Sequence, residues 1–87
     1  MTKVEIYTTF MCPYCIRALQ LLQTKEIVFE QIDVSMDNDL RQSMLCRAGG
    51  QSSVPQIFID NRHIGGCDEL IALELSGHLE ILLKGRN

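Results

Sequence analysis

The sequence predicts an α/β domain, a central four-stranded mixed sheet flanked by helices, in the order β-α-β-α-β-β-α-α. Three observations predict it. Short runs of strand formers alternate with segments of helical apolar spacing. Pro, Gly or an Asp-Asn pair marks most changes of period. The 87 residues, 46% of them apolar, suffice for one domain with a modest core over residues 1–87, with no repeat or low-complexity tract.

Val4-Glu5-Ile6-Tyr7 alternates and reads as a first strand. From Pro13 the period becomes helical, with Cys15, Ala18, Leu19 and Leu22 on one face and Ile16 and Leu21 widening it. Pro13 suits the first helical position, where its missing N–H costs nothing, so Cys12 falls where an N-cap sits. Val28 to Asp33 reads as a second strand, and Asp37 to Arg47 as a second helix with Leu40, Met44 and Leu45 inward. Gly49-Gly50 suits the left-handed end of that helix. Pro55 to Ile59 and Arg62-His63-Ile64 form a hairpin around Asp60-Asn61, broken by Gly65-Gly66. Cys67-Asp68-Glu69 opens a third helix through Leu70, Ile71, Leu73 and Leu75, a stripe that reads as core. Gly77 closes it, and a short last helix covers His78 to Leu83. A parallel strand pair across the first helix, followed by a hairpin, is the thioredoxin-like arrangement.

The net charge of −3 and a pI near 5.2 count against a nucleic-acid binder, which normally carries a basic stripe. The opening MTKVEIYTTF has no apolar h-region, and no apolar run approaches the roughly 18 residues of a membrane span. A soluble, cytoplasmic chain is expected. In a reducing compartment, four cysteines point to catalysis or metal binding rather than a disulfide framework.

Cys12-Pro13-Tyr14-Cys15 carries the chemistry. Residues i and i+3 of a helix share a face, roughly 5–6 Å apart at Cβ, near what a disulfide requires. Their environments differ. Cys12, at the helix start, faces unpaired N–H donors and the positive end of the macrodipole, which favour thiolate. Cys15, one turn in, packs toward the apolar face and keeps its proton. Cys12 is thus the expected nucleophile and Cys15 the resolving thiol, with Pro13 and Tyr14 keeping the loop tight. A zinc site would need two further ligands, and Cys46 and Cys67 have no paired spacing of their own; His63, four residues before Cys67, belongs to the hairpin. Cys67 is expected to offer a backbone N–H at a helix start, and Cys46 to be a half-buried or exposed helix residue. His63 and His78 read as surface residues. Phe10 and Met11 either rim the mouth of the site or pack, while Tyr14 stands exposed.

Three blocks, Cys12-Pro13-Tyr14-Cys15, Ser53-Val54-Pro55 and Gly65-Gly66-Cys67-Asp68-Glu69, resemble the glutaredoxin family, in particular its short bacterial dithiol form. With EIYT before the first block and PQIFID after the second, the resemblance spans essentially the whole chain. It implies a glutathione-dependent thiol–disulfide oxidoreductase, with Cys12 and Cys15 catalytic. Its substrates would be protein–glutathione mixed disulfides and protein disulfides such as that of ribonucleotide reductase.

The resemblance further implies a monomer with glutathione as reducing co-substrate and no tightly bound cofactor or metal. Glutathione contacts would come from Thr9, Tyr14, Gln42, Val54, Pro55, Gly66, Cys67 and Asp68. Val54 would pair with glutathione through its backbone, Pro55 would be cis, and Gln42, or Arg41 beside it, would meet the glycyl end. Gly66, Cys67 and Asp68 would hold the γ-glutamyl end, with Asp68 taking the ammonium and capping the third helix. Two positions depart from the family pattern: Thr9 stands where many relatives carry Lys, and Gln51-Ser52-Ser53 where Arg and Thr are frequent. The helix terminus, aided by Arg17 or Arg41, is expected to keep Cys12 ionised without that lysine.

Two other functions are compatible with the cysteine motif. One is a glutaredoxin-like redoxin reduced by thioredoxin reductase, whose usual Trp-containing tail is missing here. The other is a [2Fe–2S] carrier built on Cys12 of two subunits and two glutathiones, against which Pro13 counts.

Overall fold

The computed structural model describes residues 2–84, and the eight elements follow in the predicted order. They are β1 (Val4–Thr8), α1 (Pro13–Thr24), β2 (Glu30–Asp33), α2 (Asn38–Arg47), β3 (Gln56–Ile59), β4 (Arg62–Gly65), α3 (Cys67–Ser76) and α4 (His78–Leu83). The sheet runs β2-β1-β3-β4, with β1 parallel to β2 and antiparallel to β3, and β3 antiparallel to β4. β1 is therefore an inner strand, and all five of its residues are buried. Its carboxyl end delivers the chain to the cysteine pair.

Strand alternation sorts the side chains into two cores. Val4 and Ile6 of β1 and Ile57 and Ile59 of β3 meet Ala18 and Leu22 of α1, Leu70 of α3 and Leu79 of α4. On the other face Tyr7 and Phe58 meet Met44, Ala48 and Val34, beside an ion pair between Arg47 and buried Glu5. Lys25, at the end of α1, reaches Glu74 at 2.6 Å and Glu80 at 2.8 Å, tying α1 to α3 and α4. Asp60 and Asn61 both take positive φ (51° and 66°), the turn that matches strand twist in a two-residue hairpin.

Three expectations change. β2 begins at Glu30 rather than Val28, because Phe29 turns into the α1/α3 core while Val28 stays exposed. In α2, Asp37 is the N-cap, its carboxylate accepting from the Leu40 N–H at 3.0 Å, and only Met44 of the three expected apolar residues is buried. Leu40 is exposed and Leu45 half-buried, since this helix meets the sheet through its last turn. Leu75 is 82% exposed: five residues beyond Leu70, it lies about 140° round the helix from the core contact. No helix of the described residues is long and apolar enough to cross a membrane.

Candidate active site

After β1 the chain turns through Thr9, Phe10 and Met11. Phe10 N–H donates to Ser35 Oγ at 2.6 Å, and Met11 takes a left-handed φ of 57° that swings the chain into α1. Cys12 is the N-cap, with extended backbone (φ −96°, ψ 115°) and Pro13 at the first helical position. Its Sγ accepts the Cys15 N–H at 3.4 Å, one of the donors a helix start leaves unpaired. The same sulfur lies 3.9 Å from the Val54 carbonyl, where a thiol donates. Phe10, Met11, Pro13, Tyr14 and Ile16 are exposed around it, so the sulfur sits at an apolar rim.

Cys15 is 2% exposed. Burial is the main cause that pushes its thiol up to about 12, against a lowering hydrogen bond from the Thr9 backbone. The two sulfurs are thus a half-buried one at a helix terminus and a buried, protonated one a turn below. Cys67, first residue of α3, is also buried; its thiol is raised, chiefly by burial, with Arg17 pulling the other way. Cys46 is exposed on α2. Among the described residues, no group of three or more His, Cys, Asp or Glu side chains is placed to hold a metal ion.

An open cleft of about 220 Å³ adjoins the motif, lined by Tyr14, Ser53, Val54, Pro55, Gly66, Cys67, Asp68 and Glu69. The Val54–Pro55 peptide is cis. Gly66 approaches it so closely that a Cβ there would lie 3.3 Å from the Pro55 carbonyl oxygen, which is why the missing side chain matters. Gly65 has φ +120°, and a Cβ there would meet Glu69 Cγ at 2.8 Å.

Six of the eight residues expected to contact glutathione therefore converge on one wall: Tyr14, Val54, Pro55, Gly66, Cys67 and Asp68. Thr9 and Gln42 are not among its lining residues; the Thr9 backbone lies instead against the Cys15 thiol. Ser53 and Glu69 complete the wall. Asp68 does not cap α3. Glu69 does, accepting the Gly66 N–H on Oε1 at 2.7 Å, so Asp68 is left exposed and free for a ligand. Glu69 stands three residues after the N-cap, a spacing that marks a capping role in sequence. His63, expected at the surface, is half-buried and lies 2.6 Å from Gln56 Oε1. His78 is exposed, as expected, beside Ser76.

A cysteine pair at the start of the helix that follows the inner strand, with a cis-proline turn beside it, defines a thiol–disulfide oxidoreductase of the thioredoxin fold. Comparison with known proteins narrows the class. The family model described as Glutaredoxin matches residues 4–64, and the chain belongs to the glutaredoxin family. It is 51% identical over 81 residues to a probable glutaredoxin of Synechocystis, covering 93% of this chain and 92% of the relative. It is 49% identical over 84 residues to glutaredoxin 3 of Escherichia coli, covering 97% and 100%. Among solved structures, the glutaredoxin of Brucella melitensis superposes with a TM-score of 0.83 at 46% identity, covering 100% of this chain and 95% of that one. A buckwheat glutaredoxin–glutathione complex gives 0.86 at 26% identity, covering 97% and 78%.

Proposed function

We propose that this chain is a single-domain, monomeric, cytoplasmic glutaredoxin that uses glutathione to reduce protein–glutathione mixed disulfides, and protein disulfides such as that of ribonucleotide reductase. The carrying observation is the contrast between the two sulfurs. Cys12 Sγ accepts an N–H at the start of α1 beside an open cleft, while Cys15 is buried with its thiol pushed up to about 12. The Cys12 thiolate attacks the glutathione sulfur of a mixed disulfide; the protein thiolate leaves and takes a proton. A glutathione thiolate then attacks the glutathione sulfur held on Cys12, giving oxidised glutathione and restoring Cys12. Alternatively Cys15, after losing its proton, attacks Cys12 and expels glutathione as the intramolecular disulfide forms. A buried thiol that holds its proton so firmly makes the first route the main one for glutathionylated substrates.

The cleft suits a tripeptide with charged ends. In this reading Val54 offers its backbone, Gly66 and Cys67 present the N-terminus of α3 to the γ-glutamyl carboxylate, and exposed Asp68 meets the ammonium. Tyr14 and Pro55 supply apolar wall, and Thr9 and Gln42 act from outside the cleft.

The test couples turnover of a small glutathione mixed disulfide to glutathione reductase. Cys12→Ser is expected to abolish turnover, and Cys15→Ser to retain much of it while losing reduction of protein disulfides. Turnover that needs thioredoxin reductase instead would identify the other redoxin type. A coloured, cluster-bearing dimer from oxygen-free purification would identify the iron–sulfur carrier.

A further inference from the structure

The buried amide of Gln56 lies behind the cleft. Gln56 opens β3, is 1% exposed, and lies on the sheet face covered by α2. Among the described residues its amide nitrogen reaches acceptors only in the turn before the cis bond: the Ser53 carbonyl at 2.9 Å, Ser53 Oγ at 3.3 Å and Gln51 Oε1 at 3.4 Å. A backbone carbonyl can only accept, so the amide NH2 must face the turn and the amide oxygen must face away. There it meets His63 Nε2 at 2.6 Å. That oxygen also only accepts, so His63 Nε2 carries a hydrogen. The His63 ring is held in turn against Phe58, its cross-strand neighbour, with centroids 5.1 Å apart and planes tilted by 30°.

We propose that Gln56, held by His63, is the positioning residue that aims the Val54 N–H into the glutathione cleft. The Ser53–Val54 peptide is planar and trans, so its C=O and N–H point in opposite directions. Anchoring the Ser53 carbonyl inward on Gln56 therefore turns the Val54 N–H outward, on the wall that Ser53 and Val54 line. The Ser53 carbonyl sets the direction of this chain of hydrogen bonds, and the His63 N–H holds its far end. Without that N–H the Gln56 oxygen is buried and unpaired, and the amide is anchored from the turn side alone, with more freedom to move and to let the Ser53 carbonyl move with it. Gln56 touches neither sulfur and acts through the turn. This inference rests on the reading of the cleft as a glutathione site.

The test uses Gln56→Leu, which keeps the volume without the hydrogen bonds, His63→Phe, which keeps the ring on Phe58 without the N–H, and the double variant. With the small glutathione mixed disulfide, Gln56→Leu is expected to raise KM about 5–10-fold, the scale of a lost hydrogen bond. The kcat and the pH profile of Cys12 alkylation should stay at wild-type values. His63→Phe should raise KM by a smaller factor, and the double variant should be no worse than Gln56→Leu alone, because both act through one anchor. Unchanged KM in both single variants with only a lower melting temperature, or fully additive effects, overturns the proposal.

A second readout needs no turnover. Backbone 15N order parameters at Ser53 and Val54 should fall in both single variants while those of β1 hold. If the wild type fails to turn over the disulfide, the functional reading falls while the order parameters still judge the positioning. Rigid Ser53 and Val54 in both variants would sink the positioning role.

Discussion

The two faces of the sheet are built by different physics. The α1/α3/α4 face is aliphatic: Val4, Ile6, Ala18, Leu22, Ile57, Ile59, Leu70 and Leu79 are all buried. The α2 face joins a smaller core to a polar clamp. Arg47 donates to Glu5 Oε1 at 2.9 Å and Oε2 at 3.1 Å, and to the Tyr7 hydroxyl at 2.9 Å, with its guanidinium 4.0 Å from the centre of the Phe58 ring. The difference tracks the functional load. The helices whose N-termini form the candidate site, α1 and α3, are held mainly by packing, which fixes position in every direction at once, with the Lys25 ion pairs to Glu74 and Glu80 at the far end of α1. Helix α2 is held at its last turn by a directional ion pair that ties Arg47 to β1 and braces Phe58, behind His63.

If that division is right, the largest loss of stability comes from the aliphatic face. Leu70→Ala deletes a side chain buried between α1, α3 and the sheet, and is expected to cost about 3–4 kcal/mol, lost methylenes plus the cavity. Because α3 carries Gly66 and Cys67 at its start, turnover of the mixed disulfide should fall along with the denaturation midpoint. A loss under about 1 kcal/mol would mean that the site helices are held by something other than packing.

Breaking the clamp should cost less and should be repairable. Arg47→Leu leaves the carboxylate of Glu5, a residue 6% exposed, with Lys3 at 3.9 Å as its one cationic partner among the described residues, and is expected to cost about 2–3 kcal/mol. Adding Glu5→Met removes the orphaned charge and should recover most of that loss, as apolar replacement of a buried ion pair generally does. Leu70→Ala has no such partner. Failure of the double variant to recover in urea titrations would show that the clamp is specified by shape rather than charge.

How much of this was legible in the sequence follows the same division. Apolar spacing placed α1, the hairpin and the order of all eight elements, because packing writes itself as periodicity. It misjudged α2, whose Leu40 and Leu45 suggested a buried face that the structure gives mostly to Met44 and Arg47. A basic residue in the last turn of a helix reads as a solvated dipole partner, and no local pattern announces that it will reach Glu5 forty-two residues back. His63 escaped for the same reason: its partner Gln56 lies across a hairpin rather than along a helix. The cysteine pair, the Val-Pro turn and the Gly-Gly break were visible because each imposes a local backbone conformation. The role of Glu69 at the start of α3 was also local, and its spacing from Gly66 was the available sign.

The smallest effects, flat near neutral pH, distinguish Glu5 on one face from Cys15 on the other by the direction in which each titrates. Hydrogen bonds from Arg47 hold the Glu5 carboxyl below its usual range, against the opposing effect of burial. A depressed acid stabilises the fold above the unfolded carboxylate pKa of about 4.3, and that contribution is lost as pH falls through the lower folded value. The clamp thus weakens in acid. Burial has the opposite consequence for Cys15: the unfolded thiol ionises near pH 8.5, but the folded one is pushed up to about 12. Its contribution is complete below about pH 8.5 and declines as pH rises toward the folded value, with buried Cys67 acting in the same direction. Urea midpoints measured under reductant across pH should therefore show two separable limbs. Glu5→Gln should shrink the acid limb, leaving the parts due to Glu80 and Asp33, whose carboxyls are also held low, and should not touch the alkaline one; Cys15→Ala should do the reverse. Both variants altering the same limb would mean that the two faces do not unfold under separate electrostatic control.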